Sequence, residues 1–464
     1  MIEEKKHIIS KIFVDVNVNS VENATKIKNN IEVFLKHNFL SSIENYLNTI
    51  HIDKNKILQI DNLILNIDLK SIYLLEKIDL FTESFKNEIN KHVKDQLTPI
   101  TETENSRLMS VQDKISEAFF SFLKTGERPW YIDEDSFNKI FDAQVLKEIR
   151  KSDKFRIEFD KILNHHDAFK RLILQFSNEN LILFFGKELA TQSSQFIKDF
   201  NRIFSLKLQP HFWKIIAGFY KTKDKDELYF SVFKLIETSE INTENTCQDA
   251  INFTDKLLAI SSGPNNIKEI VEKARNKKKE EELYDLSVPQ LETEHISASN
   301  SKDVITNNIG LVLLHPYLKV FLKDCELLDA NNIFVDKEKA VHLLHYVATF
   351  KENDSENNML FEKFLCNIPL HHPIKKDIKL SKKLKLKTQD LLSSTIKNWP
   401  ALKNTSIETL QNEFLQRRGK LILSEDNPKI IIERKTQDIL MEKLPWNISI
   451  VKIPWIDKIV FVEW

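Results

Sequence analysis

Hydrophobic and polar positions divide the chain into stretches of different period. KIFVDVNVN, residues 11–19, alternates apolar and polar side chains and predicts a β-strand. From Ala24 to Ile50 the apolar residues Ile27, Ile31, Phe34, Leu35, Ile43, Tyr46 and Leu47 recur at helical spacing. ILQIDNLILNIDL, residues 57–69, alternates again, so residues 1–70 predict a β-α-β element. Residues 71–262 carry the helical period throughout, as in SVQDKISEAFFSFLKTG and SFNKIFDAQVLKEIRKSDKFRIEFDKIL. Gly126 and Pro129 interrupt it at KTGERPWYID, and phenylalanines crowd LILFF, FIKDFNRIF and HFWKIIAGFY. Residues 263–304, opening with SGPNN and continuing as NKKKEEELYDLSVPQLETEHISASNSKD, lose the period and read as a charged linker.

Residues 305–464 form the most varied stretch. IGLVLLHPYLKVFLKDCELL (309–328) is apolar and divided by Pro316, and KEKAVHLLHYVATF (337–350) is helical. MLFEKFLCNIPL predicts a further helix and HHPIK a turn. KTQDLLSSTIKNWPALKNTSIETLQNEFLQRRGKL (387–421) predicts two helices parted at Trp399-Pro400, because a residue before proline avoids the α region. Thr405 or Ser406 caps the second. KIIIERK (429–435), NISIVKI (447–453) and KIVFVEW (458–464) predict strands, with QDILMEKL as a helix between the first two. The expected fold class is mainly α with small α+β ends. A helical middle (71–262) and a linker (263–304) then separate the N-terminal element from a C-terminal α+β domain (305–464).

Composition narrows the function. Six glycines in 464 residues lie well below the roughly 7% average, and neither GxGxxG nor GxxxxGKS/T occurs. Glycine-built phosphate loops are thereby excluded, and long helices joined by polar turns are expected. A net charge of -1 supplies no field to draw nucleic acid or an anionic membrane. No apolar run approaches the roughly 20 residues of a membrane helix, and MIEEKKHIISKIF lacks the apolar core of a secretion signal. Cys247, Cys325 and Cys366 are odd in number and far apart, which predicts neither disulfide framework nor zinc site and fits a reducing cytoplasm.

Candidate chemistry is sparse. His342 and His345 share one helix face, but no Glu or Cys at nearby spacing completes a ligand set, so both read as core residues. The adjacent pairs His165-His166 and His371-His372 suit loops or caps. Cys366 lies between Leu365 and Ile368 and reads as a buried small residue. Arg417-Arg418 reads as a solvated helix end with Gly419 as its left-handed cap. No catalytic residue, cofactor or metal is expected. Trp446, Trp455, Trp464 and Phe461 are the candidate partner-binding residues, because large aromatics dominate interface hot spots; core packing is the competing reading for the tryptophans.

GLVLLHPYL, KAVHLLHYVAT, FEKFLCNIPL, NWPALKNTSIETLQNEFLQRRGKL, LPWNISIVKIPW and FVEW follow one another in a pattern that resembles the tape measure proteins of bacterial contractile injection systems, the phage-tail-like particles. HIISKIFVDVNV, the helix after it and ILQIDNLILNIDL are similar to that family's N-terminal element, and KTGERPW to a family motif of the form TGxxPWW. Tyr131 stands where a second tryptophan is common, and Phe350 where a glycine is. The resemblance implies a non-enzymatic assembly protein that lies in the growing inner tube, joins the baseplate end and sets tube length. It implies tube and baseplate or spike proteins as partners and a cytoplasmic place of assembly within the particle. Self-association into a homo-oligomer stays open, and neither nucleic acid nor membrane insertion is implied. An adaptor or assembly chaperone that measures nothing is the alternative, and an enzyme carried by the particle a third. Even one unbroken helix over residues 71–304 would reach only about 350 Å at 1.5 Å per residue.

Overall fold

The computed structural model describes residues 7–15, 17, 20–22, 25, 31, 35, 39–50, 52, 56–64, 83–91, 106–186, 194–237, 244–260, 302–424 and 427–464. Two compact units are present, one of residues 1–119 with 128–149, the other of residues 120–127 with 150–464.

The first unit is a small mixed element. Helix Leu40–Thr49 buries Ile43 against Phe85 and Ile89 of a helix over residues 83–91. Strand β1 (Lys56–Ile60) pairs antiparallel with β2 (Ser106–Ser110), Lys56 opposite Ser110 and Ile60 opposite Ser106. The alternation in residues 57–60 thus produces a strand, as expected. That in KIFVDVNVN does not: residues 11–15 are irregular, with Phe13 82% exposed, while residues 16, 18 and 19 lie outside the described ones. An alternating pattern makes a strand only where a neighbouring strand takes its backbone groups. The second half of the predicted strand 57–69 also falls outside the described residues, beyond 64.

The second unit begins its globular part with helices Asp153–Asn164, His166–Gln175, Asn178–Phe185, Ser194–Ile203, Gln209–Thr222, Lys225–Glu237 and Glu244–Leu258. They are short. His165 and Ser177 accept the backbone N–H of Ala168 and Asn180 and restart the chain after each break. Low glycine therefore does not yield long helices here, because polar caps end them instead. The phenylalanine-rich segments meet in one core: Phe204 and Phe212 rings lie 4.2 Å apart, Phe196 and Phe253 4.3 Å, and Phe200 packs on Trp213 at 5.3 Å.

The C-terminal part joins helices His315–Asp324, Lys337–Thr349, Leu360–Leu365 and Lys382–Asn398 to a five-stranded sheet. Its order is β3 (Lys302–Thr306), β4 (Gly419–Leu423), β5 (Lys429–Ile432), β7 (Val460–Glu463), β6 (Ile450–Val451). All neighbours are antiparallel except β5 and β7. Register aligns Val304, Leu421, Ile430 and Val462 in one row, all buried on the helix-facing side. Strands β5 and β7 answer the expected ones, and NISIVKI contributes only Ile450–Val451. Two strands of this sheet were not expected from the sequence, as β2 was not in the stretch 71–262 read as helical throughout. β3 occupies residues at the end of the stretch read as linker, and β4 begins where the helix was expected to end. The chain is thus mainly helical, with a small mixed element at its N-terminal end and a small mixed sheet at its C-terminal end. No helix among the described residues is long and apolar enough to cross a membrane.

Candidate functional site in the C-terminal sheet

Period-2 alternation gives the sheet a second, outward face. One row across it reads Asp303, Ile422, Lys429, Phe461, Ile450, and the next reads Ile305, Lys420, Ile431, Glu463. Charges on this face compensate one another: Lys420 reaches Asp303 at 2.6 Å and Lys429 reaches Glu463 at 2.5 Å. Apolar side chains stand between them, with Phe461 43%, Ile450 57% and Ile305 55% exposed. β7 is paired on both sides, so among the described residues the edge at its end of the sheet belongs to β6.

The three predicted tryptophans do not share that face. Trp446 donates its indole N–H to Leu313 O at 3.0 Å and meets Tyr317 edge-on at 5.4 Å. Trp455 donates to Leu365 O at 2.6 Å and meets Phe334 edge-on at 5.1 Å. Each ring fastens a C-terminal loop to a helical carbonyl across about 90 residues or more, a local bond closing a long loop. Trp399, fully buried at the end of helix Lys382–Asn398, donates to Leu440 O at 3.2 Å across 41 residues. Trp464 is different. Its Nε1 is buried with no hydrogen-bond partner among the described residues, and the Arg417 guanidinium sits 5.8 Å from its ring centre. Trp446 and Trp464 line a cleft of about 490 Å³ together with Arg434, Met441, Asn447 and Ser449.

Buried ions hold the frame behind the sheet. Arg171, Glu356 and Lys363 are all fully buried. The Arg171 guanidinium donates Nε–H to Glu356 Oε2 at 3.0 Å and Nη2–H to Oε1 at 3.3 Å, and Lys363 Nζ donates to Oε1 at 2.7 Å. Remaining donors go to the carbonyls of Leu123, His371 and Leu370. Gly126, at φ +77°, lies against this triad: a Cβ there would stand 2.5 Å from Glu356 Oε1. The glycine of KTGERPW thus needs both its left-handed backbone and its missing side chain. Gly310 is packed more tightly still, its absent Cβ only 1.7 Å from Phe414 O.

His345 lies in a second network, 2.9 Å from Glu362 Oε1 and 3.4 Å from Asp354 Oδ2, with Asn308 donating to the same Glu362 oxygen at 2.8 Å. Burial alone would lower its pKa, but the adjacent carboxylates of Asp354 and Glu362 outweigh that and raise it to about 9. Burial and the His345 charge push His342, one turn away, down to about 4, and its Nε2 lies 3.0 Å from Lys375 O. The pair is therefore a charged and a neutral imidazole in the core. Among the described residues no His, Cys, Asp or Glu group is placed to hold a metal. Burial likewise pushes the Cys366 thiol far up, away from a reactive thiolate.

The expected solvated end at Arg417-Arg418 is corrected. Arg417 is fully buried, donating Nε–H to Glu413 O at 2.5 Å, Nη1–H to Glu433 O at 3.1 Å and Nη2–H to Asp438 at 2.5 Å. Gly419 opens β4 and has no left-handed φ. Arginine's rigid fork of five donors lets it bridge a helix end, a strand end and the 3-10 helix Thr436–Lys443 at once.

Comparison with known proteins agrees with the resemblance. No curated protein and no solved structure matches the chain. The family model described as "Contractile injection system tape measure protein" matches residues 6–464, and the chain belongs to that family.

Proposed function

We propose that this chain is a non-enzymatic assembly protein of a contractile injection particle, setting inner-tube length and anchoring to the baseplate end. The family match over residues 6–464 carries the reading. Tube and baseplate or spike proteins are the proposed partners, and assembly takes place in the cytoplasm. The outward sheet face supports the anchor. Exposed Phe461 and Ile450 lie side by side there between internally neutralised ion pairs, so docking would bury apolar surface without stranding a charge. The tryptophans act behind it, Trp446 and Trp455 by fixing the loops that carry β6 and β7.

Recruitment tests the anchor. In a pull-down of baseplate components from cells, Phe461→Ser with Ile450→Ser should abolish recovery of the chain while its circular dichroism stays native, since both side chains point outward. Undiminished recovery would remove the sheet face from the interface. An adaptor reading has one observation in its favour. Among the described residues the middle is folded into α-helices of 5–15 residues, each roughly 7–22 Å long, so its contour cannot serve as one continuous rod. Length would then be set by the assembled chain's span rather than by a single helix.

A further inference from the structure

Away from the sheet, helix His166–Gln175, the first turn of helix Lys337–Thr349 and the loop 367–375 enclose a groove of about 420 Å³. Its floor is apolar, formed by Leu174, Ile368 and Pro373, and its rim carries Lys170, Lys337 and Lys375. The backbone holds the walls together: Lys376 N–H donates to Leu174 O at 3.1 Å, and Gln175 Nε2–H to Ile374 O at 2.8 Å. Glu338, the acid of the lining, accepts the Lys375 backbone N–H at 2.5 Å. Among the described residues none of the three rim lysines has an ion-pair partner; Lys337 Nζ donates only to Asn367 O, at 3.0 Å. The positive field is felt locally, since burial and the charges of Lys170 and Lys363 hold His372 below the usual imidazole range. An apolar floor with an unneutralised basic rim fits an extended, acidic and apolar peptide.

The chain contains such a segment. Residues 280–294, EEELYDLSVPQLETE, hold six acids and no Lys or Arg, interleaved with Leu283, Tyr284, Leu286, Val288 and Leu291. It lies outside the described residues, between Ile260 and Lys302. Its flanks, residues 261–279 and 295–301, can span up to roughly 60 Å and 23 Å when extended. We propose that residues 280–294 of the same chain occupy the groove, with their apolar side chains on its floor and their carboxylates against its lysine rim. Occupancy would tie the charged stretch to the folded C-terminal part and fix the point from which the remaining chain leaves it.

The test is zero-length carbodiimide cross-linking of the full-length protein, mixed in equal parts from ¹⁵N-labelled and unlabelled preparations. Mass spectrometry should find amide links from Lys170, Lys337 or Lys375 to acids of 280–294, within one isotopic copy. No such links would overturn the proposal. So would links found only between copies, which would make the occupant a second chain. Two variants sharpen it, both read at Lys170. Leu283→Ser, Tyr284→Ser and Leu286→Ser together leave every acid and the described core intact, and should lower the link yield roughly tenfold through lost apolar burial. Lys337→Glu with Lys375→Glu should lower it by a similar factor, as two rim attractions become repulsions. An unchanged yield in either variant would overturn the proposal.

Discussion

The helical layer of residues 150–258 and the C-terminal part of residues 302–464 are held together by different physics. In the first, large rings pack on rings: Phe185, Phe200, Phe204, Phe212, Trp213 and Phe253 form one apolar mass. Such contact is non-directional, so alternative side chains of similar volume can fill it. In the second, the apolar core encloses Glu356, Glu362, Lys363 and Arg417, all fully buried and bound to named partners, and tryptophan N–H groups clip loops to particular carbonyls. A buried charge tolerates one geometry and penalises others, which fixes relative positions more tightly than apolar contact does. Under the proposed function, the contrast would let the C-terminal part keep its shape for docking while the middle accepts change. The Arg171–Glu356 pair joins the two, across 185 residues of sequence.

Breaking that pair is the largest effect expected. Glu356→Gln leaves Arg171 and Lys363 buried without a counter-charge and should cost about 3–5 kcal/mol in urea unfolding. Phe200→Leu in the aromatic layer should cost roughly 1.5 kcal/mol or less. Equal costs would erase the distinction between the regions. Gly126→Ala follows, at about 2–4 kcal/mol, from the left-handed backbone and the Cβ forced on Glu356. Combined with Glu356→Gln it should cost less than the sum of the two, because both act on one triad.

The histidine pair should make stability depend on pH in a set direction. His345 has its folded pKa raised to about 9 from 6.5, so its contribution is complete below pH 6.5 and is lost as pH rises through about 9. His342 runs the other way: folded it is neutral, with a pKa near 4, so acidification from pH 6.5 towards 4 destabilises. Urea midpoints should therefore peak near pH 6–7, and His345→Gln should flatten the alkaline side and soften the acid side too, since His342 loses the neighbouring charge that depresses it. An unaltered alkaline limb would contradict the charged imidazole. The smallest effects separate the tryptophans. Trp455→Phe loses the bond to Leu365 O and should cost about 1–2 kcal/mol beyond the change in ring size. For Trp464→Phe the polar part of the cost should be near zero, since its Nε1 has no partner to lose among the described residues.

What the sequence made legible was local. The helix at 337–349, the break at Trp399-Pro400 and the Ser406 cap, which accepts the Thr409 N–H at 3.2 Å, all follow from neighbours within four residues. Phe350, noted only as standing where a glycine is common, proves to be the left-handed C-cap of that helix at φ +57°. What was illegible was long-range. Arg417 looks solvated in QRRGK because two of its acceptors, Glu433 and Asp438, lie 16 and 21 residues away. β3 looks like linker because DVIT is short and its partner β4 is more than a hundred residues on. The Arg171–Glu356–Lys363 triad leaves no periodic trace at all; its one local sign is Gly126 in KTGERPW. Among the candidate interface residues, sequence grouped rings that the fold places differently: Phe461 faces outward while Trp446 and Trp455 face in.

The most direct measurement is inner-tube length by electron microscopy in cells whose chain lacks residues 261–300, with residues 1–260 and 301–464 intact. If this protein sets the length through its span, tubes should shorten uniformly, by up to about 60 Å at the helical rise for 40 residues. Tubes of unchanged length, built with normal recruitment of the shortened chain, would contradict length setting and leave an anchor or adaptor.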